Sequence, residues 1–285
     1  MTRKSLFYFA LVGLLWGIPY LLMKVAVEDF PPAAVVAGRT LIGASILIPI
    51  AIYRKKFGGA VLGFKYVAFY ALMEMIGPWI LITTAEQKIN SGLAGLLVST
   101  VPIFATIITS LRGDHSVWQF KRLLGIVVGF IGLILVVGIE SLSGNSDPLS
   151  IAMVIVASMG YAYAVIMVTT NLPLVDGIAI NGLAMAITTV FWAPVAIAQW
   201  PSSISMNSAL SLIALGIFST ALAFILFFKV MAEIGPARSS LVTYLNTAIA
   251  VLLGVIILRE PLTVGIIVGL PLVLVGSYLA SKKTA

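Results

Sequence analysis

The stretch AEQKINSGLAGLLVSTVPIFATI, residues Ala85–Ile107, has a counterpart later in the chain. At a shift of about 145 residues it lies over VMAEIGPARSSLVTYLNTAIAVL, residues Val230–Leu252. Farther on, GIVVGFIG from Gly125 lies over GLPLVLVG from Gly269 at a similar shift. Two matches at nearly the same shift indicate that the chain contains two copies of one structural unit.

The composition places both copies in a membrane. Of 285 residues, 61% are hydrophobic and 9% are charged, and the mean hydropathy is +1.14. Soluble domains have about 45–50% apolar and about 25% charged residues. The chain has no Cys, which excludes disulfides and thiolate metal sites. We therefore expect a polytopic membrane protein.

Ten segments are long enough to cross a bilayer, which takes about 20 apolar residues each. We number them spans 1–10, and they lie near 6–26, 33–53, 64–84, 93–111, 119–138, 149–169, 178–199, 209–229, 237–257 and 263–281. A polar stretch separates the fifth span from the sixth. We predict a five-helix unit over residues 1–139, a linker over 140–148 and a second unit over 149–285. Because five is odd, the second unit enters the membrane from the opposite side, so the predicted fold is all-α with ten transmembrane helices in two inverted repeats.

Lys and Arg residues are distributed unevenly between the two predicted sides of the membrane. With a cytoplasmic N-terminus, Lys24, Lys88 and Arg259 fall outside and Arg39 falls within a span. The other thirteen of the 17 fall on the cytoplasmic side: Arg3, Lys4, Arg54, Lys55, Lys56, Lys65, Arg112, Lys121, Arg122, Lys229, Arg238, Lys282 and Lys283. The positive-inside rule then places both termini in the cytoplasm. This placement favours membrane orientation over nucleic-acid binding as the reason for the basic excess.

Several motifs at matching positions resemble one family. In the first half they are Trp16-Gly17, Lys24, Pro31-Pro32 and Arg39, and in the second half Glu260-Pro261-Leu262-Thr263, Gly269 and Gly276. With this spacing the whole chain resembles the EamA-type ten-helix exporters of the drug/metabolite transporter superfamily. The first-half counterpart of the Glu-Pro-Leu-Thr turn is degraded to Asp114-His115-Ser116.

The resemblance implies a secondary transporter that exports small metabolites through the cytoplasmic (inner) membrane by alternating access. The chain is most similar to exporters of aromatic and other neutral amino acids. Carriers of nucleotide sugars or phosphate esters are the alternative, and a channel or scaffold is a weaker one. The single His, His115, lies in a loop and no Gly-rich phosphate loop occurs, so we expect no enzymatic activity and no ATP-driven step. Expected partners are a small-molecule substrate, the bilayer and a proton, without cofactor, metal or nucleic acid, in a monomer or weak dimer.

Three ionisable side chains lie within or at the end of spans, where each costs about 2.5–3.5 kcal/mol on insertion scales. Glu74 lies roughly 15 Å into span 3 at 1.5 Å per residue, which is the midplane. It is the candidate for proton coupling or for binding a substrate ammonium, and a structural carboxyl is the alternative. Arg39 in span 2 can meet a substrate carboxylate, hold a helix end or pair with an acid. Lys24 is expected to snorkel to the outer interface, with substrate contact as the alternative.

Aromatic residues form a second group of candidate substrate-binding residues. Trp16 and Tyr20 share a face of span 1, Trp79 follows Glu74 in span 3, and Tyr163 lies beside Tyr161 in span 6. A cavity lined by such rings would suit apolar or aromatic side chains and could hold an ammonium by cation–π contact. Three other tryptophans near span ends or loops are expected in the interfacial belts: Trp118, Trp192 and Trp200.

Neutral polar residues complete the predicted site. Ser99 lies just before Pro102, which bends span 4, and Asn246 lies in span 9 of the second half. That half has no charge aligned with Glu74, which falls over Ser219. Either polar side chain can instead form a hydrogen bond between helices. Glycines four residues apart, Gly13/Gly17, Gly125/Gly129 and Gly265/Gly269, are predicted to let helices approach closely.

Overall fold

The computed structural model describes residues 3–113, 119–142, 147–234, 239 and 242–281, and no strand occurs among them. The spans are Arg3–Ala26, Pro32–Tyr53, Phe64–Ala85, Ser91–Leu111, Phe120–Leu142, Pro148–Asn171, Gly177–Ala198, Met206–Glu233, Val242–Ile256 and Val264–Ser281, and a short helix, Phe57–Leu62, joins spans 2 and 3. Among the described residues, spans 1–4 and 6–8 are long and apolar enough to cross a membrane, and spans 9 and 10 contribute shorter apolar helices. Four features of the sequence analysis lie outside the described residues: positions 143–146 of the 140–148 linker, Trp118, the 114–116 motif remnant and the basic residues at 238, 282 and 283.

The helices pack in the same way in both halves. Span 2 packs on span 7, span 4 on span 9 and span 5 on span 10, so each of these helices meets its own counterpart. Span 1 packs on spans 8 and 9, and span 6 packs on spans 3 and 4, which is the same arrangement with the halves exchanged. This exchange symmetry is that of two related repeats, as the sequence predicts.

The chain turns at two opposite faces. On the first, Asp29 accepts hydrogen bonds from the Ser205 backbone nitrogen at 2.9 Å and its Oγ at 2.6 Å. We call this the Asp29 face; these two bonds also hold the pKa of the Asp29 carboxyl below its usual range. On the second, the Ser5 face, Ser5 Oγ donates to Glu233 Oε2 at 2.6 Å. Span 1 begins at the Ser5 face and span 6 begins at the Asp29 face, so the repeats are inverted.

Glycines allow the closest helix contacts. Gly129 of span 5 and Gly276 of span 10 meet backbone to backbone, and a Cβ at Gly276 would overlap the Gly129 main chain. In span 1, Gly13 packs against Leu245 and Gly17 against Ile249 of span 9. The predicted packing role of Gly13, Gly17 and Gly129 is therefore confirmed.

In the described part of each half there is one π-helical segment, in which the backbone hydrogen bonds shift by one residue. The segments are Leu72–Ile76 in span 3 and Leu215–Leu222 in span 8. The 145-residue shift that relates the halves places one upon the other. Such segments are frequent at functional sites. The Trp192 indole N–H of span 7 donates to the Ile76 carbonyl at 3.1 Å, so the expectation that Trp192 belongs to an interfacial belt is wrong.

The Glu260 carboxylate caps span 4 from the opposite half. It accepts hydrogen bonds from the Ser91 backbone nitrogen at 2.8 Å, the Ser91 Oγ at 2.9 Å and the Gly92 nitrogen at 3.2 Å. The local N-cap residue, Asn90, makes no side-chain cap bond. An anion at a helix N-terminus satisfies free N–H groups and complements the helix dipole. This turn therefore ties the two halves together at the Asp29 face.

We expect Glu260→Ala to lower thermal stability in detergent by the equivalent of about 2 kcal/mol, because hydrogen bonds to a charged group contribute about 1.5–3 kcal/mol. The control is Glu28→Ala, which removes an exposed carboxylate from the same face. Equal melting temperatures for the two variants would show that the cap does not stabilise the fold.

Candidate functional site

Arg39 lies at the meeting point of four spans from both halves. Its side chain is only 6% exposed. The guanidinium lies 3.9 Å from the ring centroid of Trp79 in span 3. Its Nε and Nη2 donate to Thr220 Oγ1 at 3.3 and 3.1 Å, and Nη1 approaches Met23 Sδ at 3.6 Å. Because Thr220 belongs to the π segment of span 8, this segment reaches the centre of the protein.

The guanidinium is buried without a counter-charge among the described residues. No described carboxylate oxygen lies within 4.0 Å of it, and the ion pair found in that part of the chain is Lys88 with Asp147 at the Asp29 face. A buried charge is costly unless it is paired and hydrogen-bonded. The two neutral acceptors, Thr220 Oγ1 and Met23 Sδ, and the face of the Trp79 ring do not use all five N–H groups of the Arg39 guanidinium. The remaining N–H groups are free to bind an anion.

Two tyrosines surround the same guanidinium. Tyr20 of span 1 and Tyr161 of span 6 are both close enough to act electrostatically on Arg39. The Tyr20 ring packs against Gly95 of span 4, where a Cβ would lie 3.4 Å from the ring. Five spans thus contribute to one polar cluster: spans 1, 2, 3, 6 and 8. We call it the central cluster and define it as Tyr20, Arg39, Trp79, Tyr161 and Thr220.

Glu74 borders this central cluster from the π segment of span 3. Its side chain is partly buried, and its Oε2 is buried with no hydrogen-bond donor among the described residues. The carboxyl acts electrostatically on Tyr70 and Tyr161. The Tyr70 hydroxyl donates to Asn181 Oδ1 of span 7 at 3.1 Å. Tyr161 is therefore close enough to act electrostatically with both the Glu74 carboxyl and the Arg39 guanidinium.

The predicted aromatic residues lie in different parts of the structure. Tyr20 and Trp79 join Arg39, as described above. Trp16 instead packs on span 8, with its ring centroid 4.6 Å from that of Phe227 and 5.6 Å from that of Phe224. Tyr163 packs edge-on against Phe69 at 5.8 Å. A substrate role for Trp16 and Tyr163 stays a prediction, and it requires the neighbouring helices to move.

The predicted neutral residues have local partners. Ser99 lies where span 4 is interrupted, its Oγ donates to the Leu96 carbonyl at 2.6 Å, and its own carbonyl accepts from Ser277 Oγ at 2.8 Å. Asn246 Oδ1 accepts from Thr247 Oγ1 at 3.3 Å, and its carbonyl borders Gly17. These contacts place both residues between helices, and their contact with substrate stays a prediction.

Lys24 ends at the Asp29 face, where it donates to the carbonyls of Glu86 at 2.6 Å and Ile89 at 2.9 Å. Its snorkelling to the outer interface stays a prediction. Thr220 was absent from the predicted site, although its neighbour Ser219 aligns with Glu74. That alignment is the signal that could have identified it.

Within the described residues, ten spans arranged as two inverted repeats around a buried guanidinium and a partly buried carboxyl define a polytopic membrane protein built like a secondary transporter. Residues 3–138 and 148–282 each match the EamA-like transporter family, and the chain belongs to this family. It is 27% identical to the uncharacterized transporter YoaV of Bacillus subtilis, over 94% of this chain and 93% of YoaV. It is 26% identical to the uncharacterized inner membrane transporter YedA of Escherichia coli, over 95% of this chain and 90% of YedA. A solved crystal structure with 15% identity has the same fold, with a TM-score of 0.65 over 98% of both chains.

The family, the fold and the apolar spans agree on the general function. The protein is a multi-pass membrane transporter, so its partners are a small-molecule substrate and the lipid bilayer. Among the described residues no group of three His, Cys, Asp or Glu side chains could hold a metal ion.

Proposed function

We propose that the protein exports amino acids, including aromatic and other neutral ones, across the cytoplasmic membrane by alternating access. The observation that carries the proposal is the buried Arg39, which has no carboxylate partner among the described residues and is held between the two halves by Thr220. A planar guanidinium binds a carboxylate through two parallel hydrogen bonds. The α-carboxylate of an amino acid is the anion that would complete this site.

The surroundings of Arg39 suit the rest of an amino acid. The rings of Trp79, Tyr20 and Tyr161 offer apolar faces to a side chain and π faces to an ammonium. The unpartnered Oε2 of Glu74 offers a second, negative position for that ammonium or for a proton. With the positive Arg39 in the central cluster and the carboxyl of Glu74 beside it, the site favours a zwitterionic substrate over a simple anion.

The contacts between halves support alternating access. At the Asp29 face the halves are joined through Asp29 with Ser205 and through Glu260 with Ser91. Opening this face requires both contacts to break, whereas the central cluster can stay between the halves. The described basic residues of the turns lie mostly at the Ser5 face, and the positive-inside rule makes that face cytoplasmic. The closed Asp29 face is then the external one, and export ends with its opening.

A phosphate ester or nucleotide sugar is the alternative substrate, because guanidinium also binds phosphate. A phosphate carries more negative charge than one arginine neutralises, and Glu74 adds a negative group beside the cluster. These charges favour the amino acid.

Counterflow in proteoliposomes tests the proposal with a panel of labelled compounds at equal pH on both sides. We expect exchange of Phe, Tyr, Met or Thr and no exchange of nucleotide sugars or phosphate esters. Exchange of phosphate esters without any amino acid, by protein shown to be folded, would overturn it.

A further inference from the structure

A second buried carboxyl, Glu86, lies immediately after span 3 at the Asp29 face. The residue is fully buried, and neither carboxyl oxygen has a hydrogen-bond donor among the described residues. It borders a cavity of about 210 Å³ that is lined by Lys24, Val27, Glu28, Glu86 and Gln87. Glu86 belongs to neither the central cluster nor the Glu260 cap, so neither the fold nor the proposed substrate site explains it.

The charges around Glu86 come from several elements. Lys24 of span 1 favours its charged form and Glu260, in the turn before span 10, opposes it. Burial has the larger effect and raises the pKa of the Glu86 carboxyl well above its usual 4.5. Glu28 lines the same cavity, while Lys88 in the same turn is exposed and lies 3.9 Å from Asp147.

Glu86 is connected to the central cluster through Tyr20. The carboxyl acts electrostatically on the Tyr20 phenol, which is also under the influence of Arg39. Tyr161 is in turn affected by Tyr20, Arg39 and Glu74. Glu86, Tyr20, Tyr161 and Glu74 therefore form a series in which neighbouring groups act electrostatically on one another.

We propose that Glu86 is the proton-exchange group of the Asp29 face, through which an external proton enters the transport cycle. The carboxylate takes one proton from a hydronium ion in the cavity, so that one O–H bond of the hydronium breaks, one O–H bond forms on Glu86 and neutral water remains; Glu86 later returns the proton to water by the reverse step. The cavity lies directly beside Glu86, whose carboxyl oxygens are closed to solvent in this structure, so proton exchange takes place when the side chains that line the cavity move apart. The absence of fixed hydrogen bonds leaves neither protonation state locked. This inference rests on the proposed function in that the protein must transport something, and it does not depend on an amino acid being the substrate.

The competing explanation is a structural carboxyl that only supports Lys24. Glu86→Gln separates the two, because Gln keeps the size and polarity of the side chain but cannot exchange a proton. In proteoliposomes we expect counterflow without a pH gradient to stay within about twofold of wild type. A one-unit pH gradient supplies about 1.4 kcal/mol per proton, or about a tenfold accumulation of substrate. In Glu86→Gln the ratio of accumulated to external substrate should fall to about onefold, which means no accumulation. Glu233→Gln, at the opposite face, is the control and should accumulate substrate as wild type does.

Unchanged gradient-driven accumulation in Glu86→Gln would overturn the inference. If wild type exchanges no amino acid, the proposed substrate is wrong and the same comparison is made with whichever panel compound is exchanged.

A measurement of stability, which needs no substrate, completes the test. Because the folded-state pKa is raised, the stability contributed by Glu86 is present below about pH 4.5 and is lost as pH rises above it. Melting temperatures in detergent between pH 5 and pH 9 should fall less in Glu86→Gln than in wild type, and an equal fall would contradict proton exchange at this carboxyl.

Discussion

Arg39→Gln is expected to reduce amino-acid counterflow by about 100-fold. Removing one partner of a buried, hydrogen-bonded charge pair costs about 2–5 kcal/mol, and about 3 kcal/mol corresponds to roughly a hundredfold loss of affinity. Gln can still contact Thr220 but has neither the positive charge nor the second nitrogen donor that a guanidinium offers to a carboxylate. Initial rates of exchange across a range of substrate concentrations should show the loss mainly as a raised half-saturation concentration.

The matched control is Arg54→Gln, which removes an exposed arginine immediately after the same helix. We expect its exchange rate to equal that of wild type. Arg39→Lys keeps the charge without the planar pair of donors, so it should retain part of the activity. Equal transport by wild type and Arg39→Gln would exclude Arg39 from substrate binding and would leave it a structural partner of Trp79 and Thr220.

Glu74→Gln is expected to abolish the response to a pH gradient. If Glu74 carries the coupling proton, wild type accumulates substrate up to about tenfold per pH unit, since one unit is about 1.4 kcal/mol per proton. The variant should equilibrate its substrate without accumulating it. Labelled substrate inside proteoliposomes, measured with and without an imposed gradient, gives the ratio directly.

The same experiment separates the two roles proposed for Glu74. Loss of accumulation with intact counterflow identifies a proton carrier, whereas loss of both identifies a group that binds the substrate ammonium. Glu233→Gln, at the Ser5 face, serves again as the control. A pH response equal to that of wild type in folded Glu74→Gln would remove this carboxyl from the mechanism.

The long helices could be predicted because bilayer thickness constrains them directly. The sequence predicts span 3 near 64–84, and the helix lies at Phe64–Ala85. The repeat could be predicted because a shift of about 145 residues aligns polar turns as well as apolar segments. The π segments could not, because a local change from i−4 to i−5 hydrogen bonds leaves no mark in a hydropathy pattern. The proposed boundaries at 139 and 149 stay a prediction.

The site was predictable only in part. The sequence identifies Arg39 and Glu74 as candidates because charges in apolar spans are rare and costly. Thr220 was missed because it lies 181 residues from Arg39 in sequence and meets it only when the halves pack. Trp16 and Tyr20 are four residues apart and were expected to line one cavity. Four residues rise about 6 Å along a helix, so Trp16 meets span 8 while Tyr20 meets span 4.

The binding of a substrate carboxylate by Arg39 is the central claim, and one competition measurement tests it most directly. Counterflow of labelled phenylalanine by wild-type protein is measured with unlabelled phenylalanine or with phenylalanine amide, which differs only at the carboxylate, as competitor. We predict that the amide competes about 100-fold more weakly, because it cannot pair with the guanidinium. Equal competition by the two compounds would contradict the account.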